Sequence, residues 1–184
     1  MAIGIKVKKA PEGYDLGASK FFGTPTVPKD WLDDFYEDEI FFCQIRLADI
    51  AHLDEEGDLP HEGYLYVFLI ADDGGWRMEA DVRYTPQQPE LAIDDFNGEV
   101  PGYEDFTEAW LMEFAPVEGD ADGIRLLGVP SDWNYADASP KLLLQYDPLA
   151  SDMGFLDAMD GYLYLFFGED DCDFSQITCH AEYS

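Results

Sequence analysis

Three histidines, His52, His61 and His180, carry the most versatile chemistry in this chain, since imidazole titrates near neutral pH, moves protons and binds metals. Their spacing builds neither a relay nor a ligand set. Zinc needs closely spaced Cys and His pairs. Cys172 and Cys179 stand seven apart with His180 beside the second, which is too loose. Nucleophilic catalysis needs a serine or cysteine next to a base, often on a strained turn. No Gly-x-Ser-x-Gly occurs, and Cys43 lies inside an apolar run, where a thiol behaves as a small hydrophobe. Neither Gly-x-Gly-x-x-Gly nor the P-loop pattern is present. Glu118 to Gly123 begins like a calcium loop, with Asp120 and Asp122 as alternate oxygen ligands. The twelfth position, where a bidentate glutamate belongs, is Val129. The expectation is no metal, no cofactor and no enzyme signature.

Two glutamines stand out. Gln44 interrupts Phe41-Phe42-Cys43-Gln44-Ile45, and Gln145 interrupts Leu142-Leu143-Leu144-Gln145-Tyr146. A buried amide must find partners for two donors and an acceptor. The same surroundings recur at both. Gly23-Thr24-Pro25 with Asp30-Trp31 is echoed by Gly128-Val129-Pro130 with Asp132-Trp133. Gly63-Tyr64-Leu65-Tyr66 is echoed by Gly161-Tyr162-Leu163-Tyr164, 19 and 16 residues after the respective glutamines. Four landmarks in one order indicate duplication, with copies at 19–85 and 123–184 and a connecting segment at 86–122. If the copies pack about a pseudo-twofold axis, Gln44 and Gln145 meet at the seam. Gln44, Gln145, Trp31 and Trp133 are then either structural locks and core anchors or a ligand-contacting group.

The elements that would position them are mostly strands. Ile40 to Leu47 and Tyr64 to Ile70 are rich in aromatic and branched residues. Their continuous apolarity implies burial on both faces or a cover of helices. Trp76 to Tyr84 alternates apolar and charged residues with a period of two, and Asp72-Asp73-Gly74-Gly75 reads as the turn joining it to the preceding strand. Gln176 to Tyr183 alternates similarly and should pair with the Tyr162 strand. Asp30 to Tyr36 suits a short helix with Trp31, Leu32 and Phe35 on one side. Tyr103, Phe106, Trp110, Leu111 and Phe114 fall at helical spacing, predicting a helix over Glu104 to Phe114. The expected fold class is α+β: a largely antiparallel sheet with a few short helices, one domain over 1–184, built from two pseudo-repeated halves sharing one core.

Charge is the extreme feature. Asp and Glu number 40 against 10 Lys and Arg, a formal net charge of −30. Lys6, Lys8 and Lys9 fall in the first ten residues, which hold no acid, so the remainder is more acidic still. Such a surface repels nucleic acid and anionic membrane and attracts basic partners over distance. The stripe of basic residues that nucleic-acid binding leaves is absent. Candidate partner-binding loops are Asp33 and Asp34; Asp54, Glu55, Glu56 and Asp58; and Glu169, Asp170 and Asp171. Solubility alone, or a salt-adapted cytoplasm, would give the same charge. Apolar residues are 47% of the chain and aromatics 15%, enough for a sizeable core. The start shows no long apolar region and no apolar run reaches the length of a membrane span, so a cytoplasmic location is expected.

Three stretches resemble the YwqG-like family of bacterial domains: Ser19 to Pro28, Phe42 to Ala48 and Leu59 to Phe68. Leu142 to Asp147, Gly161 to Phe166 and Asp173 to Gln176 are similar to the family's C-terminal part. The resemblance implies much antiparallel sheet and brings no catalytic residues. Some relatives look associated with bacterial toxin and immunity gene neighbourhoods. The expected function is a non-enzymatic acidic protein that binds a basic partner, of immunity or antitoxin type. The alternative is a small-ligand-binding or enzymatic domain with its site between the two repeats.

Overall fold

Strands form where aromatic and β-branched residues concentrate. The computed structural model describes residues 1–71, 78–131, 140–156, 161–168 and 173–182. In chain order the strands are β1 (Ala2–Lys9), β2 (Lys20–Phe21), β3 (Thr26–Val27), β4 (Glu39–Arg46), β5 (Tyr64–Ala71) and β6 (Met78–Thr85). They continue as β7 (Leu91–Ala92), β8 (Trp110–Val117), β9 (Arg125–Leu126), β10 (Leu142–Tyr146), β11 (Leu163–Phe166) and β12 (Thr178–Ala181). Ten of them make one antiparallel sheet in the order β12-β11-β10-β9-β1-β8-β2-β4-β5-β6, and β3 pairs with β7 as a separate ribbon. The large sheet curls into a nearly closed barrel. Its two edge strands, β6 and β12, come alongside one another, with Tyr84 and Phe174 in ring contact at 5.9 Å.

The expected α+β class is wrong. Among the described residues strand accounts for 38% and helical turns for 8%, and these turns are short 3-10 turns with no α-helix. The predicted helix over Glu104 to Phe114 fails most clearly, because Trp110–Val117 is strand β8. Trp110 and Phe114 satisfy a period of two as well as a helical one, Met112 fits only the former, and β1 decides between them. β1 lies antiparallel to β8 along its whole length, from Ala2 opposite Val117 to Lys9 opposite Trp110. This explains the basic N-terminus: Lys8 pairs with Glu113, and Lys9 with Glu108 at 2.6 Å. Pro116 cannot donate to a ladder, and it sits beyond the reach of β2, which pairs only with Trp110 and Leu111. The predicted helix over Asp30 to Tyr36 also fails. A 3-10 turn covers Lys29–Trp31, and Leu32 faces solvent while Trp31 and Phe35 pack inward.

The barrel interior is an aromatic cluster. Phe42 lies 5.1 Å from Phe21, 5.3 Å from Tyr146 and 5.3 Å from Phe155, measured between ring centroids. β4 and β5 are buried on both faces, but loops cover the outside, where helices were an alternative. Val27, Phe41, Tyr66 and Phe68 form an outer apolar patch roofed by Trp31, Phe35, Leu91 and Phe96. Asn97 pins this roof to β4. Its amide accepts from Phe41 N at 2.7 Å and donates to Phe41 O at 3.0 Å and Phe106 O at 2.9 Å. The turn expected at Asp72 to Gly75 lies outside the described residues. The strands flanking it do pair, with Ala71 opposite Met78. β11 and β12 pair as expected, with Leu163 opposite Ala181.

The strand order is a palindrome about β1 and β8. From that centre, β2, β4, β5 and β6 run one way, and β9, β10, β11 and β12 the other. The leading strand of each half crosses over: β1 bonds to β9, and β8 bonds to β2. Bulges fall at matching places, between Phe41 and Cys43 in β4 and between Leu142 and Leu144 in β10.

Candidate functional site

Gln44 sits on β4, opposite Lys20 on β2 and Tyr66 on β5. It is fully buried. Its Oε1 accepts from Thr26 N at 3.0 Å and Thr26 Oγ1 at 3.3 Å. Its Nε2 donates to Leu16 O and Ala18 O, both at 3.0 Å. The Tyr66 hydroxyl donates to Thr26 O at 2.7 Å. Burial pushes the Tyr66 phenol up, so it remains a donor. Lys20 is sealed under the Tyr14 ring, 5.3 Å from its centroid, and its Nζ donates to Leu16 O.

Gln145 repeats this knot residue by residue. On β10 it lies opposite Arg125 on β9 and Tyr164 on β11. Its Oε1 accepts from Ser131 N at 2.9 Å and Arg125 Nη2 at 3.1 Å. Its Nε2 donates to Gly123 O at 2.9 Å and Ser131 Oγ at 3.0 Å. The Tyr164 hydroxyl donates to Ser131 O at 2.5 Å. Arg125 donates to Ala121 O at 2.6 Å, Leu127 O at 2.7 Å and Val129 O.

The two glutamines therefore do not meet. Each amide spends its donors and acceptor within its own half, on the face of the sheet away from the barrel interior. A ligand pair at a seam has no free amide group to use. Trp31 packs edge-on to Tyr66 at 5.2 Å, part of the roof of the first half. Trp133 lies outside the described residues, as do Glu169, Asp170 and Asp171. Asp120 and Asp122 are not gathered for calcium. The carbonyls of Ala121 and Gly123 between and beside them turn inward to Arg125 and Gln145. Sequence reasoning missed the buried cations, although a signal was available: Lys20 and Arg125 each precede the landmark glycine by three positions.

What faces outward is acidic. Lys8, Lys9, Arg46, Arg83 and Lys141 are in ion pairs, and Lys20 and Arg125 are buried. The carboxylates of Glu55 and Glu56 are exposed and bond to none of the described residues. They line a cleft of about 120 Å³ with Asp54 and Asp58, over a floor of Met1, Ile3, Leu53 and Leu127. Asp54 is the structural member. It is buried and accepts from Asp58 N at 3.1 Å, from Leu59 N at 2.8 Å and at 3.3 Å from His61, which holds the loop closed. Lys141 reaches across from the second half to Asp58 at 2.8 Å, its ammonium 5.4 Å from the Phe167 ring centroid. A second cleft of about 280 Å³ opens between Lys9–Tyr14 and Thr107–Ala109. Pockets for drug-sized ligands run to about 300–1,000 Å³. The acidic cleft has room for a single side chain.

One further carboxylate is unusual. Glu39, at the start of β4, is fully buried, and its Oε2 accepts from Tyr36 N at 2.9 Å. Arg83 stands 3.4 Å away but is held more closely by Asp81, at 2.6 Å. Burial raises the Glu39 pKa from 4.5 to about 7, with the Asp81 carboxylate adding to it and Arg83 opposing it. A pKa raised on folding supplies stability that is complete below 4.5 and is lost as pH rises through about 7. Lys20 behaves oppositely. Burial lowers its pKa from 10.5 to about 7, so its contribution is lost as pH falls through that value. The two act in adjoining pH windows, Glu39 between 4.5 and about 7 and Lys20 between about 7 and 10.5, and a Glu39→Gln variant removes the first. Its melting temperature relative to the native chain should climb as pH rises from 5 to 8. Parallel curves for the two proteins would refute the assignment.

The fold and surface together define an all-antiparallel, nearly closed barrel with buried polar groups locked on its outer face beneath loops, and a strongly acidic exterior. The chain matches no model of a known protein family, and no curated protein matches it significantly. Among the described residues no helix is long and apolar enough to cross a membrane.

Proposed function

We propose that this chain is a non-enzymatic binding protein whose acidic surface engages a basic protein partner, in the manner of an immunity or antitoxin-type inhibitor. The observation that carries this reading is the acidic cleft. Glu55 and Glu56, which bond to none of the described residues, stand over an apolar floor, in a space that fits the stem and charged head of one lysine or arginine. The −30 net charge would speed encounter with such a partner and select against anionic ones. The buried polar groups that might have served chemistry, Gln44, Gln145, Lys20 and Arg125, are committed to holding loops onto the sheet. Membership of the YwqG-like family belongs to the same proposal and adds an immunity context to it.

The test is binding of an arginine-rich peptide at two ionic strengths. The Debye length shrinks from about 30 Å at 0.01 M to about 8 Å at 0.15 M salt. Affinity should fall by at least tenfold over that range, each factor of ten being about 1.4 kcal/mol. Glu55→Lys combined with Glu56→Lys should weaken binding further at low salt. Affinity indifferent both to salt and to this double substitution would defeat the reading.

A further inference from the structure

We propose that the loop at 29–38 is a docking face for a protein partner that presents lysine or arginine side chains around an apolar centre. This rests on the basic-partner reading and deepens it by placing the apolar part of the contact.

The loop is fastened from beneath. Trp31 packs on Tyr66, and Phe35 packs on Phe68 at 5.1 Å and on Phe96 at 5.2 Å. The guanidinium of Arg83 fills the space between them, 4.7 Å from the Phe35 centroid, 5.4 Å from Phe68 and 5.5 Å from Trp31. It also donates to Asp34 O at 3.2 Å. The far end is tied by Tyr36 N to Glu39 Oε2 at 2.9 Å and by Glu39 N to Tyr36 O at 3.2 Å. Such a loop has given up its freedom before any partner arrives, which removes part of the entropic cost of association.

Between these fastenings the chain puts large apolar groups into water. Leu32 is 51% exposed and Tyr36 64% exposed, although Trp31 and Phe35 beside them are turned inward. Asp30, Asp33, Asp34, Glu37 and Asp38 are exposed around them. The cations of the loop region are Lys29 at its start and Arg83, which is committed below. An apolar centre with a charged rim is the layout of a protein interface, in which a few large side chains carry the affinity and the rim sets orientation and rate. The sign of the rim selects the occupant. Nucleic acid, anionic membrane and a second copy of this −30 chain are repelled, and a basic protein surface is attracted.

Two helical peptides of equal positive charge test this, one with leucines between its arginines and one with serines there. The leucine peptide should bind the native chain about tenfold more tightly than the serine peptide. Leu32→Ser with Tyr36→Ser should abolish that difference while leaving the serine peptide's affinity unchanged. Both substituted side chains are exposed, and an unchanged melting temperature confirms the fold. If the double variant still prefers the leucine peptide, the docking face is overturned. If the native chain binds both peptides equally and only the Glu55→Lys and Glu56→Lys variant weakens them, the basic-partner reading survives and this face does not. If neither peptide binds the native chain at low salt, both fall.

Discussion

Replacing Gln44 with leucine is expected to cost about 3–5 kcal/mol, because it leaves buried groups without partners, each worth about 1–3 kcal/mol. Thr26 N loses its acceptor, and Ala18 O and Leu16 O lose a donor. Leu16 O keeps Lys20, so the first two carry the loss. At about 2–4 °C per kcal/mol for a chain of this size, melting should fall by roughly 10 °C. Gln44→Glu separates the roles of the two amide ends. It retains an acceptor for Thr26 but, when ionised, cannot donate to either carbonyl, so its loss should grow with pH while that of leucine stays flat. Gln145→Leu should cost a similar amount through Ser131 N and Gly123 O. A change below about 1 kcal/mol at either site, by chemical denaturation, would mean that the knots do not hold the loops as described.

The second large effect concerns the glycine that opens Gly-Tyr-Leu-Tyr. Gly63 has φ +84°, and a Cβ there would stand 2.2 Å from Thr85 O and 2.8 Å from Pro86 Cα. Alanine must accept a left-handed backbone, at roughly 1–2 kcal/mol, and force β5 and β6 apart, at roughly 1–3 kcal/mol or more. Gly63→Ala should therefore cost about 2–5 kcal/mol on those two terms. Gly57→Ala is the matched control, because Gly57 has φ +72° with nothing within 4 Å of the added carbon. It should show the backbone cost alone. Equal losses at the two positions would refute the steric argument. Gly161 in the second half meets Glu182 O at 2.6 Å, so the close approach of backbone recurs there, while the left-handed φ belongs to Gly63 alone of the two.

Much of this was readable in the residues. β4, β5, β6 and β12 follow from aromatic content and alternation, and the recurring landmarks mark equivalent places in the fold. Gly-x-Pro leads to Thr26 and Ser131, whose backbone the glutamines and tyrosines hold. The glutamines were recognised as constrained, but their partners were not, because most of those partners are backbone groups, which carry no sequence signal. The helix at Glu104 was misread since Trp110 and Phe114 satisfy both periods, and only a distant partner strand decides. β1 could not be matched to β8 from local pattern, as the two are about a hundred residues apart. The surface was legible as charge and illegible as shape. Asp54 and Glu55 look alike in sequence, yet one is a buried brace and the other an open carboxylate.

The crossed leading strands have a consequence for how the chain is made. β1 leaves the ribosome about a hundred residues before the strands it bonds to, β8 and β9, which begin at Trp110 and Arg125. β2 likewise waits for β8. The first half therefore emerges with the centre of its sheet unfilled and cannot complete its bonding during early synthesis. Contacts of such long sequence separation slow folding and leave strand edges open meanwhile. The dense negative charge then gains a second use, since nascent copies that repel one another are less able to join those open edges.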